Sequence, residues 1–336
     1  MMIYYLLVLF HLFFVKNRNV IVFAISFALL FIIMGFRDED LGTDAKNYQL
    51  MFHFVEQGLS LSIEPLWYLL NKVIYIQGGN YSNVIMFSSL LALVPVYISA
   101  FRLRNENGFL LLFLYLSLYY YFYSFNIIRQ GIGMSWGILA LVYLNSPNKK
   151  NHKIFWLFIV LGALFHYTVF ALGILKFIPT IFAKIKNLYL YQFIAFVLGL
   201  FFNTFLITLF SQFAFEKYSD FEGGNLIGNF FYLIILNVVF IMISNLVKIK
   251  SNWYYYMYFF ILISNLFIRF PFGNRFILLF GIVQLVFYPL ILSNNKLSTK
   301  ENGLLWACIL VYGFISFSRV LGAGEIIPYE GLFFSF

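Results

Sequence analysis

The run VIVFAISFALLFIIMGF, Val20 to Phe36, ends abruptly in Arg37-Asp38-Glu39-Asp40, followed by Leu41-Gly42-Thr43-Asp44 and Asn47-Tyr48. An unbroken apolar run of this kind suits lipid, since ~20 helical residues cross the hydrocarbon core. Charge stranded beside a bilayer is costly unless it is paired, hydrated or engaged with a ligand. The stretch therefore predicts a span that ends at a membrane face, with a polar site just beyond it.

The remainder of the 336 residues repeats this pattern. Hydrophobic residues make up 62% and charged residues 10%, where a soluble domain carries roughly a quarter charged. Mean hydropathy is +0.88. These values exclude an ordinary soluble core and predict an all-α polytopic membrane protein forming one domain over 1–336. About eleven spans are expected, over 2–15, 19–36, 81–101, 108–124, 127–145, 154–168, 188–210, 229–247, 253–270, 275–293 and 303–320. Met1 to Val15 lacks a basic start and a small-residue cleavage site, and reads as a retained span. The lone Cys308 excludes a disulfide framework and reads as a lipid-facing or packing residue.

Two segments read differently. Glu64, Tyr68, Asn71, Lys72 and Tyr75 recur at helical spacing, with Leu66, Leu69, Leu70, Val73, Ile74 and Ile76 between them. Pro65 suits a first turn. An amphipathic helix over 64–77, interfacial or re-entrant, is expected there, completing an outer-face loop and helix over about 37–80. Val169 to Phe182, containing Lys176 and Pro179, reads as a short helix returning from the outer face after His166.

Charge orients this layout. With the N-terminus outside, the inner loops hold thirteen cations, most of them Lys, against only Glu106 and Glu301. That is the bias expected of cytoplasmic loops, so the net charge of +9 needs no nucleic acid to explain it. The inner lysines orient the chain and meet anionic lipid. The outer face instead receives Arg37, Arg129, Arg269, Arg275 and Arg319, each near a span end. Arginine's planar fork suits phosphate at a partly desolvated site, and several arginines at one depth suit a polyanion that lives in lipid. The bland alternative is snorkelling or pairing with Asp38, Glu39, Asp40 and Glu325. Arg129 resists that alternative best, because it lies inside a span.

His166, in Phe165-His166-Tyr167-Thr168, is either a structural group or an acid–base residue, with Asp44 and Glu64 as rival bases. Asp38, Asp40 and Asp44 can in principle hold a hard cation, but acidic outer loops are commonly just solvated, so no metal and no cofactor is expected. His11, His53 and His152 have no metal-ligand spacing. Gly133-Met134-Ser135-Trp136-Gly137 is a helix-packing pattern, and Asn80-Tyr81-Ser82 matches a glycosylation acceptor that is frequent by chance. No nucleophile elbow, phosphate-binding glycine loop or zinc pattern occurs.

Arg37 with Gly42-Thr43-Asp44 and Asn47-Tyr48, Glu64-Pro65-Leu66, Arg129-Gln130, Phe165-His166-Tyr167-Thr168, Phe272-Gly273-Asn274-Arg275 and Pro328-Tyr329 together resemble the EpsG-like branch of the Wzy-type bacterial polysaccharide polymerases, in order and spacing across nearly the whole chain. The resemblance implies a GT-C-like architecture in the bacterial cytoplasmic membrane, with the site facing the periplasm or exterior. The substrates would be oligosaccharide repeat units on undecaprenyl pyrophosphate, built into O antigen, capsule or exopolysaccharide. Membrane lipids, a chain-length regulator and a flippase are the implied partners, and nucleic acid is not one. The resemblance assigns base work to His166, Asp44 or Glu64. It assigns pyrophosphate binding to Arg37, Arg129, Arg275, Arg319 and Arg269, and sugar contact to Tyr48, Gln130 and Tyr329. Two alternatives stay open: a GT-C transferase using a lipid-monophosphate sugar, and a non-enzymatic flippase for lipid-linked oligosaccharide.

Overall fold

Helices fall within every expected span in the computed structural model, two each in 108–124 and 275–293, while 202–210 of the span expected over 188–210 lies outside the residues described, which are 2–59, 63–144, 149–201, 226–247, 252–270, 273–293, 297–321, 330–331 and 334–335. The helices are α1 (Met2–Phe13), α2 (Val20–Gly35), α3 (Ala45–Glu56), α4 (Pro65–Ile76), α5 (Tyr81–Arg102), α6 (Gly108–Ser117), α7 (Tyr120–Asn126), α8 (Ile128–Leu144) and α9 (Lys149–Phe165). A 3-10 run, Tyr167–Lys176, leads to α10 (Ile178–Phe182), α11 (Leu188–Phe201), α12 (Leu226–Val247), α13 (Asn252–Phe267), α14 (Gly273–Gly281), α15 (Val283–Leu292) and α16 (Thr299–Leu321). Beyond the helices, Glu330–Gly331 pairs antiparallel with Phe334–Ser335.

Among the described residues, three helical stretches are long and apolar enough to cross a membrane: Tyr81–Arg102, Gly273–Leu292 and Thr299–Ser318, with α6 plus α7 a fourth if that bent pair is one span. Several of the others are shorter. The 16 residues of α2 rise about 24 Å, less than the roughly 30 Å of a hydrocarbon core. The protein is thus a helical membrane protein with a mixture of full-length and short apolar helices.

Two compact units are present. The first comprises 1–173, 288–295 and 306–336, and the second 174–287 and 296–305. In the first, α8 packs on α9 and α5, α5 on α2, and α6 on α1. Glycines allow the closest of these approaches. A Cβ on Gly162 would lie 2.8 Å from the Gly133 carbonyl oxygen, and one on Gly133 would lie 3.5 Å from His166 Cβ. The small-residue pattern of α8 thus brings α9, and His166 at its end, against α8. Deep in this unit His11, Ser26 and Tyr97 join α1, α2 and α5: His11 Nδ1 donates to Leu7 O at 2.8 Å and Nε2 meets Ser26 Oγ at 2.6 Å. Ser26 Oγ also bonds the Tyr97 hydroxyl. In the second unit, Asn237 and Asn265 pair their amides across α12 and α13 at 2.8 Å.

The expected single span over 108–124 is broken. Tyr119 is left-handed (φ 72°), a conformation costing an L-residue about 1–2 kcal/mol, and α6 and α7 bend by 49°. Ring packing of Tyr119 on Phe122 and Tyr123, each at 5.1 Å between centroids, offsets that cost. A second break follows at Ile127 (φ −104°, ψ 59°), immediately before Arg129.

α4 corresponds to the helix expected over 64–77, but its polar stripe divides. Asn71 is buried with Trp67 and Ile74, whereas Leu69, Val73 and Ile76 are exposed along with Lys72 and Tyr75. An interfacial helix can present an apolar face to lipid, so the segment faces the protein partly through its polar residues. Asn80 serves as an N-cap: its side chain accepts from Asn83 N–H while Asn83 Oδ1 accepts from Asn80 N–H, a reciprocal capping box at the start of α5.

Candidate functional site at the α7–α8 break

A helix end leaves carbonyl groups without intrahelical partners and carries partial negative charge. The end of α7 meets both needs with the loop that follows α2. Arg37 is buried, donates from Nη2 to Phe125 O at 3.1 Å and lies 4.7 Å above the Phe125 ring. Thr43 N–H donates to Asn126 Oδ1 at 3.1 Å. Gly42, between them, has φ +117° and presses on the same turn: a Cβ there would stand 2.6 Å from Asn126 Oδ1 and 3.0 Å from Phe125 O. The Arg37…Gly42-Thr43 signature is therefore a docking loop for the helix break. Its acids serve the loop. Asp38 Oδ1 accepts from Asp40 N–H, Asp40 Oδ1 and Glu39 O accept from Gln49 Nε2, and Glu39 accepts from Ser82 Oγ. Among the described residues, no group of His, Cys, Asp and Glu has the arrangement to hold a metal ion.

Docking of this loop brings α3 and α4 beside the start of α8. Asp44 begins α3 without capping it through its side chain. One turn later Tyr48 is buried, edge-on to Trp67 of α4 at 5.4 Å and beneath the Arg129 guanidinium at 5.8 Å. Burial pushes the Tyr48 phenol up, against the pull of Arg129.

Glu64, at the start of α4, is the hub. One carboxylate oxygen, Oε2, takes Arg129 Nη1 from α8, and the other, Oε1, takes His166 Nδ1 at 2.9 Å from the end of α9. Burial works to raise the Glu64 pKa, but the His166 hydrogen bond, its own backbone N–H and the charges of Arg129 and His166 outweigh it and hold the carboxyl at about 2. A carboxylate held so low is a poor proton acceptor near neutrality. His166 Nε2 and Arg129 Nε are both buried and have no hydrogen-bond partner among the described residues. The cluster thus leaves one imidazole nitrogen and the guanidinium Nε without a hydrogen bond, while the Tyr48 phenol engages the same guanidinium.

Of the residues singled out in the sequence, the first unit brings together Arg37, Asp44, Tyr48, Glu64, Arg129 and His166, with Gln130 buried beside Arg129 in the chain. Arg269 belongs to the second unit, where Nη1 donates to Leu200 O at 2.6 Å. Arg275, also in the second unit, is exposed in the first turn of α14. Arg319 lies in α16 with its side chain outside the described residues, and Tyr329 lies outside them altogether. Sequence reading passed over Asn126 and Trp67, and missed α3. The signal for α3 was present: Ala45, Tyr48, Phe52 and Val55, its buried residues, have helical spacing.

An Arg–Glu–His cluster thus lies where a broken helix meets a docked polar loop in a helical membrane protein. The chain matches the EpsG family over residues 20–330. It belongs to that family, the EpsG-like polysaccharide polymerases. No curated protein and no solved structure matches it.

Proposed function

We propose that the protein joins oligosaccharide repeat units carried on undecaprenyl pyrophosphate into a surface polysaccharide, at the outer face of the bacterial cytoplasmic membrane. In this reading the chain crosses about eleven times in a GT-C-like arrangement, with the Glu64 cluster near the outer face. The observation that carries it is the Glu64 carboxylate holding Arg129 and His166 together, each with an unpaired polar atom.

The chemistry divides between those two groups. A sugar hydroxyl of one unit attacks the anomeric carbon of another. A new C–O bond forms and the anomeric carbon–phosphate oxygen bond breaks. The hydroxyl proton passes to His166 Nε2 and from there to water, so His166 is the base rather than Glu64 or Asp44. The bonding electrons leave with undecaprenyl pyrophosphate, whose growing charge Arg129 and Arg37 meet. Electrostatic stabilisation of a departing anion is often the largest single contribution to such a reaction. Tyr48, Gln130 and Tyr329 contact sugar.

Purified protein in proteoliposomes tests this. Undecaprenyl-pyrophosphate-linked repeat units should yield a ladder of longer glycans with release of undecaprenyl pyrophosphate. His166→Gln should lower the single-turnover rate by about 10²-fold or more, the contribution of a positioned base. Elongation only from a lipid-monophosphate sugar would replace the reading with a transferase, and translocation without elongation would replace it with a flippase.

A further inference from the structure

We infer that Glu64 is a positioning residue that sets the working tautomer of His166 and the orientation of Arg129 at once, so that base and anion contact form a single preorganised unit. For catalysis, the inference rests on the polymerase reading above. Its structural half does not.

The argument begins with donor and acceptor capacity. An ionised carboxylate can only accept hydrogen bonds, and Glu64 is ionised at any pH well above 2. His166 Nδ1, 2.9 Å from Glu64 Oε1, must therefore carry the ring proton. The hydrogen bond made by one ring nitrogen decides the state of the other, so the neutral form of His166 presents its lone pair at Nε2 and not at Nδ1. That atom is buried and unpaired, a costly condition for a polar group unless a ligand fills it. Only a donor can fill it, and a sugar hydroxyl is such a donor.

The second carboxylate oxygen acts on Arg129 in the same way. A guanidinium is planar and rigid, so fixing one nitrogen fixes the direction of the others. Glu64 Oε2 takes Nη1, while the Arg129 Nε donor stays buried and unpaired. Only an acceptor can satisfy Nε, and a phosphate oxygen is one. The two vacant atoms are thus opposite in kind and tied to one carboxylate. They suit a ligand pair consisting of a hydroxyl and a phosphate. α4 carries Glu64 at its start, and the Trp67–Tyr48 contact, with Tyr48 under Arg129, braces it from the far side.

The test reads tautomer and turnover separately. Protein with 15N-labelled histidine, in lipid nanodiscs and without substrate, gives nitrogen shifts for each imidazole, and His166→Gln identifies the His166 signals. In the neutral imidazole, recognised from the pH titration of the same signals, wild type should show a protonated Nδ1 and an unprotonated Nε2. In Glu64→Ala the proton should redistribute toward Nε2. Glu64→Leu, of similar bulk and without an acceptor, takes the place of the alanine variant if that does not fold, with the same redistribution expected and the same unmoved shifts counting against the inference. A wild-type Nε2–H tautomer, or shifts unmoved in folded Glu64→Ala, would overturn the inference.

In polymerisation assays Glu64→Gln should lower kcat by about 10²-fold, the effect of a misplacement near 1 Å. Combined with His166→Gln, it should lose little more than His166→Gln alone, because the two act through one path. Full additivity would refute the coupling. If wild type elongates nothing, the polymerase reading fails while the nitrogen shifts still decide the positioning role.

Discussion

Replacing Gly42 with alanine tests whether the docking loop holds the site in register. The glycine has φ +117°, and its missing Cβ would stand 2.6 Å from Asn126 Oδ1 and 3.0 Å from the Phe125 carbonyl oxygen. A carbon–oxygen contact is comfortable at about 3.3 Å, so the loop must retreat by roughly 0.7 Å. Phe125 O is backbone and also accepts from Arg37, so it cannot swing aside. The left-handed backbone adds about 1–2 kcal/mol of strain. Loss of the Thr43–Asn126 hydrogen bond, 3.1 Å long, adds about 1 kcal/mol. Because a shift near 1 Å can cost about 10²-fold in rate, Gly42→Ala should retain between about a hundredth and a tenth of wild-type elongation. Its thermal midpoint should fall by a few degrees. Gly58→Ala is the control: Gly58 has φ +72° but nothing within 4 Å of the missing Cβ, so it carries the backbone strain without the collision. Elongation by radiolabelled repeat units in proteoliposomes, normalised to folded protein, measures both. If Gly42→Ala elongates as well as Gly58→Ala, the docking argument is wrong.

Other perturbations probe the remaining links. Arg129→Lys keeps the charge but loses the planar fork, so elongation should fall at least about tenfold at unchanged abundance, and wild-type turnover would remove Arg129 from the anion site. The Glu64 carboxyl, lowered from 4.5 to about 2, contributes stability that is complete above pH 4.5 and lost as pH falls through 2. The gap in thermal midpoint between wild type and Glu64→Gln should therefore close on acidification over that window, and a gap independent of pH would contradict the linkage. A cysteine at Asn80, just beyond α4, should react with an impermeant reagent added from outside, whereas labelling from the cytoplasm alone would show that α4 crosses. Ser26→Ala removes the link between His11 and Tyr97 and should cost about 1–3 kcal/mol of stability with little loss of activity per folded molecule, read by thermal unfolding and elongation in parallel.

The class of protein was legible in the chain before any coordinates. Runs such as Val20–Phe36 identify helices for lipid because a helix satisfies its backbone within a single continuous apolar segment, and charge at their ends marks where lipid stops. The Pro65 helix was visible as a periodic pattern with a proline at its start. Short motifs from Arg37 to Arg275 pointed to the family that the match over 20–330 establishes. Less legible was α3, whose charged and polar neighbours Asp44, Lys46 and Asn47 hid a helical stripe of buried residues.

Tertiary structure decided what those motifs touch. Nothing in the order of residues says that Glu64 will lie between Arg129 and His166, because the partners are 65 and 102 positions away. A carboxylate beside water titrates near its ordinary value, whereas the same group between a guanidinium and an imidazole is held at about 2. Rivalry among His166, Asp44 and Glu64 as bases is open in the sequence; tertiary structure adds that both carboxylate oxygens of Glu64 are engaged. The break at Tyr119 and Ile127 was equally hidden: neither is a glycine or a proline, and the left-handed Tyr119 is packed by neighbouring rings while the loop after α2 docks on the buried end of α7. Composition and periodicity are local properties and can be read locally. Hydrogen-bond partnership, desolvation and backbone strain depend on neighbours that only folding supplies.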